Sequence, residues 1–232
     1  MEELKMNYYF GNIHEFPVKD ILNYEYPWEA LNNLKDYMDE NITDKKVLGK
    51  LGDFVSITGN CFIDEGTNIS ANVTIEGPVY IGKNCTIQSG ALIRPYSFIG
   101  DGCTVGHSCE VKHSIVQNKA KVQSFTFIGN SIIGKSTRVG SGTILANRRF
   151  DQKNITIKKD GLVVDTGTDF FGAIVGDSSR LGANSTTVPG TFIGKYTWVL
   201  PTVQVRGFVP SEKRIMNKQE LVTLDNPKVE LK

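Results

Sequence analysis

Residues 57–115 read ITGNCFIDEGTNISANVTIEGPVYIGKNCTIQSGALIRPYSFIGDGCTVGHSCEVKHSI, and an aliphatic side chain returns at every sixth position. The series runs Ile57, Ile63, Ile69, Ile75, Ile81, Ile87, Ile93, Ile99, Val105 and Val111. Four residues after each member comes a second, mostly small column, from Cys61, Thr67 and Val73 to Cys103, Cys109 and Ile115. Glycine often follows the aliphatic residue, as at Gly82, Gly100 and Gly106. A helix repeats its apolar positions at three and four and an amphipathic strand at two, so a period of six fits neither. It fits a prism in which each hexad supplies a short strand and a corner, the aliphatic side chain pointing inward over the small one. Three hexads close a coil, and coils stack at about 4.8 Å, the spacing of paired strands. Residues eighteen apart in this stretch become neighbours.

Outward from this stretch, the phase slips by one residue near Val116, resumes at Val122 and Ile128, slips again to Ile133 and continues through Val139 and Leu145. Residues 147–171 interrupt it with Ile155-Thr156-Ile157, a Lys159-Asp160-Gly161 turn and Val163-Val164, the pattern of a β-hairpin projecting from the prism. The repeat returns at Val175, Leu181, Thr187, Ile193, Val199 and Val205. The predicted architecture is all-β, a parallel β-helix over 51–209 of six to seven coils. Residues 1–50 form an N-terminal segment with a helix near 27–41, opened by Pro27 and carrying Trp28, Leu31, Leu34, Tyr37 and Met38 on one face. That helix is expected to cover the first coil, and 210–232 to form an irregular tail or a small helix.

Composition narrows the function classes. A net charge of +1, from 26 basic and 25 acidic residues, supplies no field that draws nucleic acid. No apolar run approaches membrane length and the first thirty residues lack a signal-peptide pattern, so a soluble cytoplasmic protein without membrane partners is expected. Cys61, Cys85, Cys103 and Cys109 all fall in the small inward column and read as core-filling reduced thiols, with Cys85 and Cys103 stacked in adjacent coils.

Function is sought at outward positions. Glu76, Arg94 and Lys112 follow one another at spacings of eighteen and form a charge ladder on one corner. Adjacent cations suit an anion such as a sugar phosphate. The alternative is a solvated ladder in which Glu76 pairs with Arg94 and Glu110 with Lys112. A second concentration of charge comprises Arg138 and Asn147-Arg148-Arg149, where the insertion begins. His107, because of the slip, has Ser124 as its counterpart one coil on, a candidate proton-transfer pair beside the plainer reading of a surface histidine. His113 reads as a corner residue beside Lys112.

Ile93-Arg94-Pro95, Glu110-Val111-Lys112-His113-Ser114, the run from Ser141 to Asp151 and Val164-Asp165-Thr166-Gly167 resemble the acetyltransferase half of bifunctional sugar-1-phosphate nucleotidyltransferases. Those enzymes acetylate glucosamine-1-phosphate and belong with the hexapeptide-repeat acyltransferases. The resemblance implies a left-handed β-helix, a homotrimer, acetyl-CoA as acyl donor and an amino-sugar phosphate as acceptor. By position it implies that Arg94 and Lys112 hold the sugar phosphate, that Asn147 belongs to the amino-sugar pocket, and that Ser141, Ala183 and Pro201 line the acetyl-CoA groove. Arg138 stands where the family has Asn, Phe127 where it has Tyr, and Ser124 where it has the histidine base. The expected catalytic pair is accordingly His107, as a base displaced by one coil, with Ser124 orienting it. A non-catalytic trimer that binds a sugar phosphate or nucleotide, or serves as a scaffold, is the competing reading. The fifty residues before the prism carry no glycine-rich phosphate loop, so no nucleotidyltransferase domain is expected. The metal-dependent carbonic anhydrases of the same fold need three histidine ligands, and the prism has two, so no metal is expected.

Overall fold

A computed structural model describes residues 2–11, 19–220 and 222–223. Three parallel sheets make the faces of a left-handed β-helix, together with a two-stranded hairpin. Face A has nine strands, from Lys45–Val47 to Phe208–Val209, and face B has nine, from Lys50–Leu51 to Arg214–Ile215. Face C has eight, from Ser56–Thr58 to Gln204–Val205. The coils thus exceed the six to seven summed from hexads. Val47 stands four residues before Leu51 and Val209 four after Val205, which breaks the spacing of six, yet the short strands at Lys45–Leu51 and Phe208–Ile215 pair with their neighbours and extend the prism at both ends.

The inward columns make one continuous core containing the aliphatic series and all four cysteines, which are free thiols. The Cys85 Sγ donates to the Gly100 carbonyl at 3.0 Å and the Cys103 Sγ to that of Gln117 at 3.1 Å. Pairing runs at a spacing of eighteen from Lys50 down to Ser97, after which it shortens to seventeen, Ser97 pairing with Ser114 and Phe98 with Ile115. The slip therefore puts Ser114 in the inward small column and turns Ile115 outward. Glycine after the aliphatic residue has a steric cause. A Cβ on Gly140 would lie 2.6 Å from the Ala183 nitrogen, and one on Gly182 2.4 Å from that of Pro201.

Face A also carries an outward apolar column that includes Phe98, Ile115, Ile132, Ile174 and Phe192, all fully buried. Two helices, α1 (Met6–Tyr9) and α2 (Pro27–Asn41), cover it, and Leu31, Leu34 and Met38 of α2 join its cluster. The helix thus lies along the flank of the prism instead of over the first coil, because the large apolar surface is on the flank. Pro27 opens α2, and the Tyr26 amide is capped by the Glu29 carboxylate at 2.9 Å.

The hairpin joins Thr156–Lys159 to Leu162–Asp165 through Asp160 and Gly161, both at positive φ as a tight type I′ turn requires. It does not stand free. Ile155 and Ile157 are buried in the same cluster, and Lys159 reaches Glu3 at 3.5 Å. Among the described residues no helix is long and apolar enough to cross a membrane. Of the expected irregular tail, the described part contains the strand Arg214–Ile215, while residues 221 and 224–232, with His14, lie outside the described residues.

Candidate active site

Two edges of the prism carry most of the candidate residues. Where face C turns into face A, a cavity of about 640 Å³ is lined by Arg94, Tyr96, Lys112, His113, Asn130 and Phe170, with Asn32 and Lys35 of α2 closing it. Strand pairing aligns Ile75, Ile93 and Val111, which sets Glu76, Arg94 and Lys112 one above another. Arg94 takes both acids, donating to Glu110 at 2.9 Å and lying 3.9 Å from Glu76. Lys112 is left without an ion pair among the described residues, its ammonium 5.2 Å from the centroid of the Phe170 ring. This differs from the symmetrical neutralisation considered above, since Glu110 turns to Arg94 and leaves Lys112 as the available cation. Asn147 reaches the cavity indirectly, its amide donating to Asn130 Oδ1 at 2.7 Å.

The helix takes part in this wall. The Leu31 carbonyl accepts from His113 Nε2 at 2.9 Å, and Asn32 donates to the Thr166 carbonyl at 2.8 Å. Burial holds the His113 imidazole below its usual pKa, opposed by the Leu31 bond and assisted by the neighbouring Lys112 charge. Lys35 is paired with Asp39 at 2.6 Å, which raises its pKa, and stands 5.6 Å from the Tyr96 ring. Sequence reasoning missed Asn32, Lys35, Tyr96, Asn130 and Phe170. The outward apolar column on face A, which calls for a covering helix, was the signal that could have brought α2 into the site.

The edge where face B turns into face C collects His107, Ser124, Ser141, Ala183 and Pro201. Backbone bonds run down it in an unbroken series. Phe125 donates to the His107 carbonyl at 2.9 Å, Gly142 to Ser124 at 3.0 Å, Asn184 to Ser141 at 2.8 Å and Thr202 to Ala183 at 3.0 Å. The exposed His107 ring turns toward the preceding coil, with Nδ1 2.6 Å from the Ser89 carbonyl. A carbonyl only accepts, so Nδ1 carries the proton and Nε2 is the basic nitrogen, 3.2 Å from the Ser108 hydroxyl. Ser124 lies beside His107 along the backbone, while the ring's hydrogen bonds go to Ser89 and Ser108. The Phe125 ring, 62% exposed, meets the imidazole edge-on at 5.3 Å.

These edges bound face C. His107 stands five residues before Lys112, across the corner at Ser108 and the strand Glu110–Lys112. Lower on the same face, a groove of about 610 Å³ runs between the Arg148–Asp151 loop and Thr186–Pro189, with Ala146, Phe150 and Val188 among its lining. The arginines there are engaged. Arg149 holds Asp151 through two bonds of 2.8 and 2.6 Å, which lowers that carboxyl to about 2, and Arg148 pairs with Asp169 at 3.4 Å. Arg138 is elsewhere, exposed on face B and donating to Gln123 at 3.3 Å. The structure therefore groups Arg94, Lys112 and Asn147, groups His107, Ser124, Ser141, Ala183 and Pro201, and separates Arg138 from both.

A family model described as the GMPPB C-terminal domain matches residues 75–168. The bifunctional sugar-1-phosphate nucleotidylyltransferase/acetyltransferase of Sulfurisphaera tokodaii is 35% identical over 175 residues, covering 75% of this chain and 43% of that protein. The bifunctional protein GlmU of Methanococcus maripaludis is 36% identical over 213 residues, covering 91% and 51%. The chain thus spans about half the length of these bifunctional relatives. An uncharacterized acetyltransferase of Escherichia coli, YaiX, is 33% identical over 192 residues and covers 82% of each chain. The bifunctional relatives match only through their acetyltransferase region, whereas YaiX matches across most of its length and the six-residue repeat runs through the matched span. On that footing the chain belongs to the hexapeptide-repeat acyltransferases.

Proposed function

We propose that the chain transfers an acetyl group from acetyl-CoA to the amine of an amino-sugar phosphate bound in the cavity at the edge between faces C and A. The observation that carries this reading is the pairing of edges: a basic imidazole nitrogen on one and an uncompensated ammonium, Lys112, on the other. Lys112 and Arg94 hold the phosphate and Asn130 and Asn147 meet the sugar hydroxyls; the amine and the phosphate sit on adjacent ring carbons, too close to span face C, so the imidazole that meets the amine is His107 of a second copy in the homotrimer. Acetyl-CoA supplies the activated acyl thioester. His107 Nε2 takes the proton of the amine as its nitrogen bonds to the acyl carbon, the carbon–sulfur bond breaks, and the thiolate leaves to be protonated. The Ser89 carbonyl fixes the tautomer and shares the positive charge of the imidazolium. Ser141, Ala183 and Pro201 follow one another down the edge between faces B and C and carry no long side chain, which suits the donor groove. Face C also presents Phe125, Ile144 and a fully exposed Phe150, which fits the site lying against a second copy in a homotrimer.

One observation favours a second reading. Ser124 stands at the position of the family's base, and a hydroxyl does not accept a proton from an ammonium; the chain would then bind a sugar phosphate without acting on it. An acetylation screen over glucosamine-1-phosphate, galactosamine-1-phosphate and the free amino sugars, following CoA thiol release, separates the two. Turnover on a phosphorylated amino sugar supports the enzyme. No turnover, with sugar phosphate still bound, supports the binding protein.

A further inference from the structure

One wall of the cavity at the edge between faces C and A does not belong to the prism. There α2 contributes Leu31, Asn32 and Lys35, while the prism contributes Arg94, Lys112 and Asn130. Polar bonds fix the helix at this place in addition to its apolar face. The Leu31 carbonyl accepts from His113 Nε2 at 2.9 Å, and the Asn32 amide donates to the Thr166 carbonyl at 2.8 Å. Lys35 follows Leu31 by four residues and Asn32 by three, so it leaves the same side of the helix one turn on. Its ammonium reaches the corner of the prism, 5.6 Å from the centroid of the Tyr96 ring, two residues beyond Arg94.

A phosphate monoester carries about −1.5 to −2 charges near neutral pH. The prism offers it one uncommitted cation, Lys112, because the Arg94 guanidinium already serves Glu110 and Glu76. A second cation on the facing wall completes the compensation, and Lys35 lines that wall. Its own partner is readily exchanged. Asp39, 2.6 Å away, stands one turn further along α2 and outside the cavity lining. Both side chains are open to water, 55% and 42% exposed, and an exposed pair of this spacing contributes little. A phosphate held between two walls attracts an ammonium more strongly than a solvated carboxylate does. The flexible lysine stem lets the charge swing from one partner to the other without moving the helix.

We infer that Lys35 binds the phosphate of the acceptor from the wall facing Lys112, so that α2, a helix outside the repeat, selects a phosphorylated acceptor. This rests on the acceptor reading proposed above. Isothermal titration of the full chain with glucosamine-1-phosphate, and with inorganic phosphate as a competitor, tests it. Lys35→Met should weaken both ligands by roughly tenfold, the worth of a hydrogen bond to a charged group. The side chain is exposed, and an unchanged melting temperature would confirm that the variant folds. Lys50→Met, which removes an exposed cation from the first strand of face B, serves as a control and should change neither affinity. In turnover, Lys35→Met should raise KM for glucosamine-1-phosphate by the same factor and leave kcat unchanged. Wild-type affinity in Lys35→Met overturns the inference and leaves the acceptor reading standing. A loss for the sugar phosphate that spares inorganic phosphate does the same, since Lys35 would then touch the sugar. An equal loss in Lys50→Met would identify a general field of charge and also overturn it. A wild-type chain that binds no sugar phosphate overturns both the inference and the acceptor reading.

Discussion

His113 occupies a corner at φ 44°, with its ring packed edge-on against Tyr96 and its Nε2 proton on the Leu31 carbonyl. The folded state favours the neutral ring, since burial lowers its pKa below 6.5 and the charges of Lys112, Arg94 and Lys35 line the same cavity. The unfolded chain takes up the proton first on acidification. The stabilising contribution is therefore complete above about pH 6.5 and declines as pH falls below it. Melting temperature followed from pH 7.5 to 5 should fall more steeply in wild type than in His113→Asn, a substitution that tolerates the left-handed backbone. Parallel profiles would contradict this account of His113. The sequence allowed His107 to be placed beside Ser124, because the slip at Val116 fixes which residues stack. It could not reveal that the ring turns back to Ser89, since side-chain rotation is decided by local partners. In the same way Glu76, Arg94 and Lys112 were legible as a ladder, while the choice of Glu110 for Arg94 was not.

Helix α2 was legible as an element and misplaced as a component. Its apolar face is plain in Trp28, Leu31, Leu34 and Met38, yet amphipathicity does not say what the face meets. The answer was present in Phe98-Ile99, Ile115-Val116, Ile132-Ile133, Ile174-Val175 and Phe192-Ile193, where the residue before each inward aliphatic is itself large and apolar. A solvent-facing column of that kind needs cover. Leu34 is fully buried at this junction, so Leu34→Ala should destabilise the protein by about 2–5 kcal/mol in urea unfolding. A change under about 1 kcal/mol would mean that the helix is not packed on face A. The hairpin follows the same logic. Its Asp-Gly turn was readable, but its docking through Ile155 and Ile157 depends on a surface formed by distant residues.

At the scale of the whole molecule, the period of six determined the architecture because every rung repeats one packing problem, and the terminal coils escaped notice because the spacing shortens to four between Val47 and Leu51 and between Val205 and Val209. The exposed Phe125, Ile144 and Phe150 on and beside face C lead to an expectation for assembly. Sedimentation velocity should give a particle of three 25.7 kDa chains, and a monomer at micromolar concentration would contradict the homotrimer. The most direct test of the central claim is the steady-state rate of acetyl transfer by wild type and His107→Ala on the best acceptor from the amino-sugar phosphate panel. The account predicts turnover by wild type and a loss of roughly 10²- to 10⁴-fold in kcat for the variant, the usual worth of a positioned general base. Equal rates for the two proteins, or no transfer by wild type to any acceptor, would contradict it.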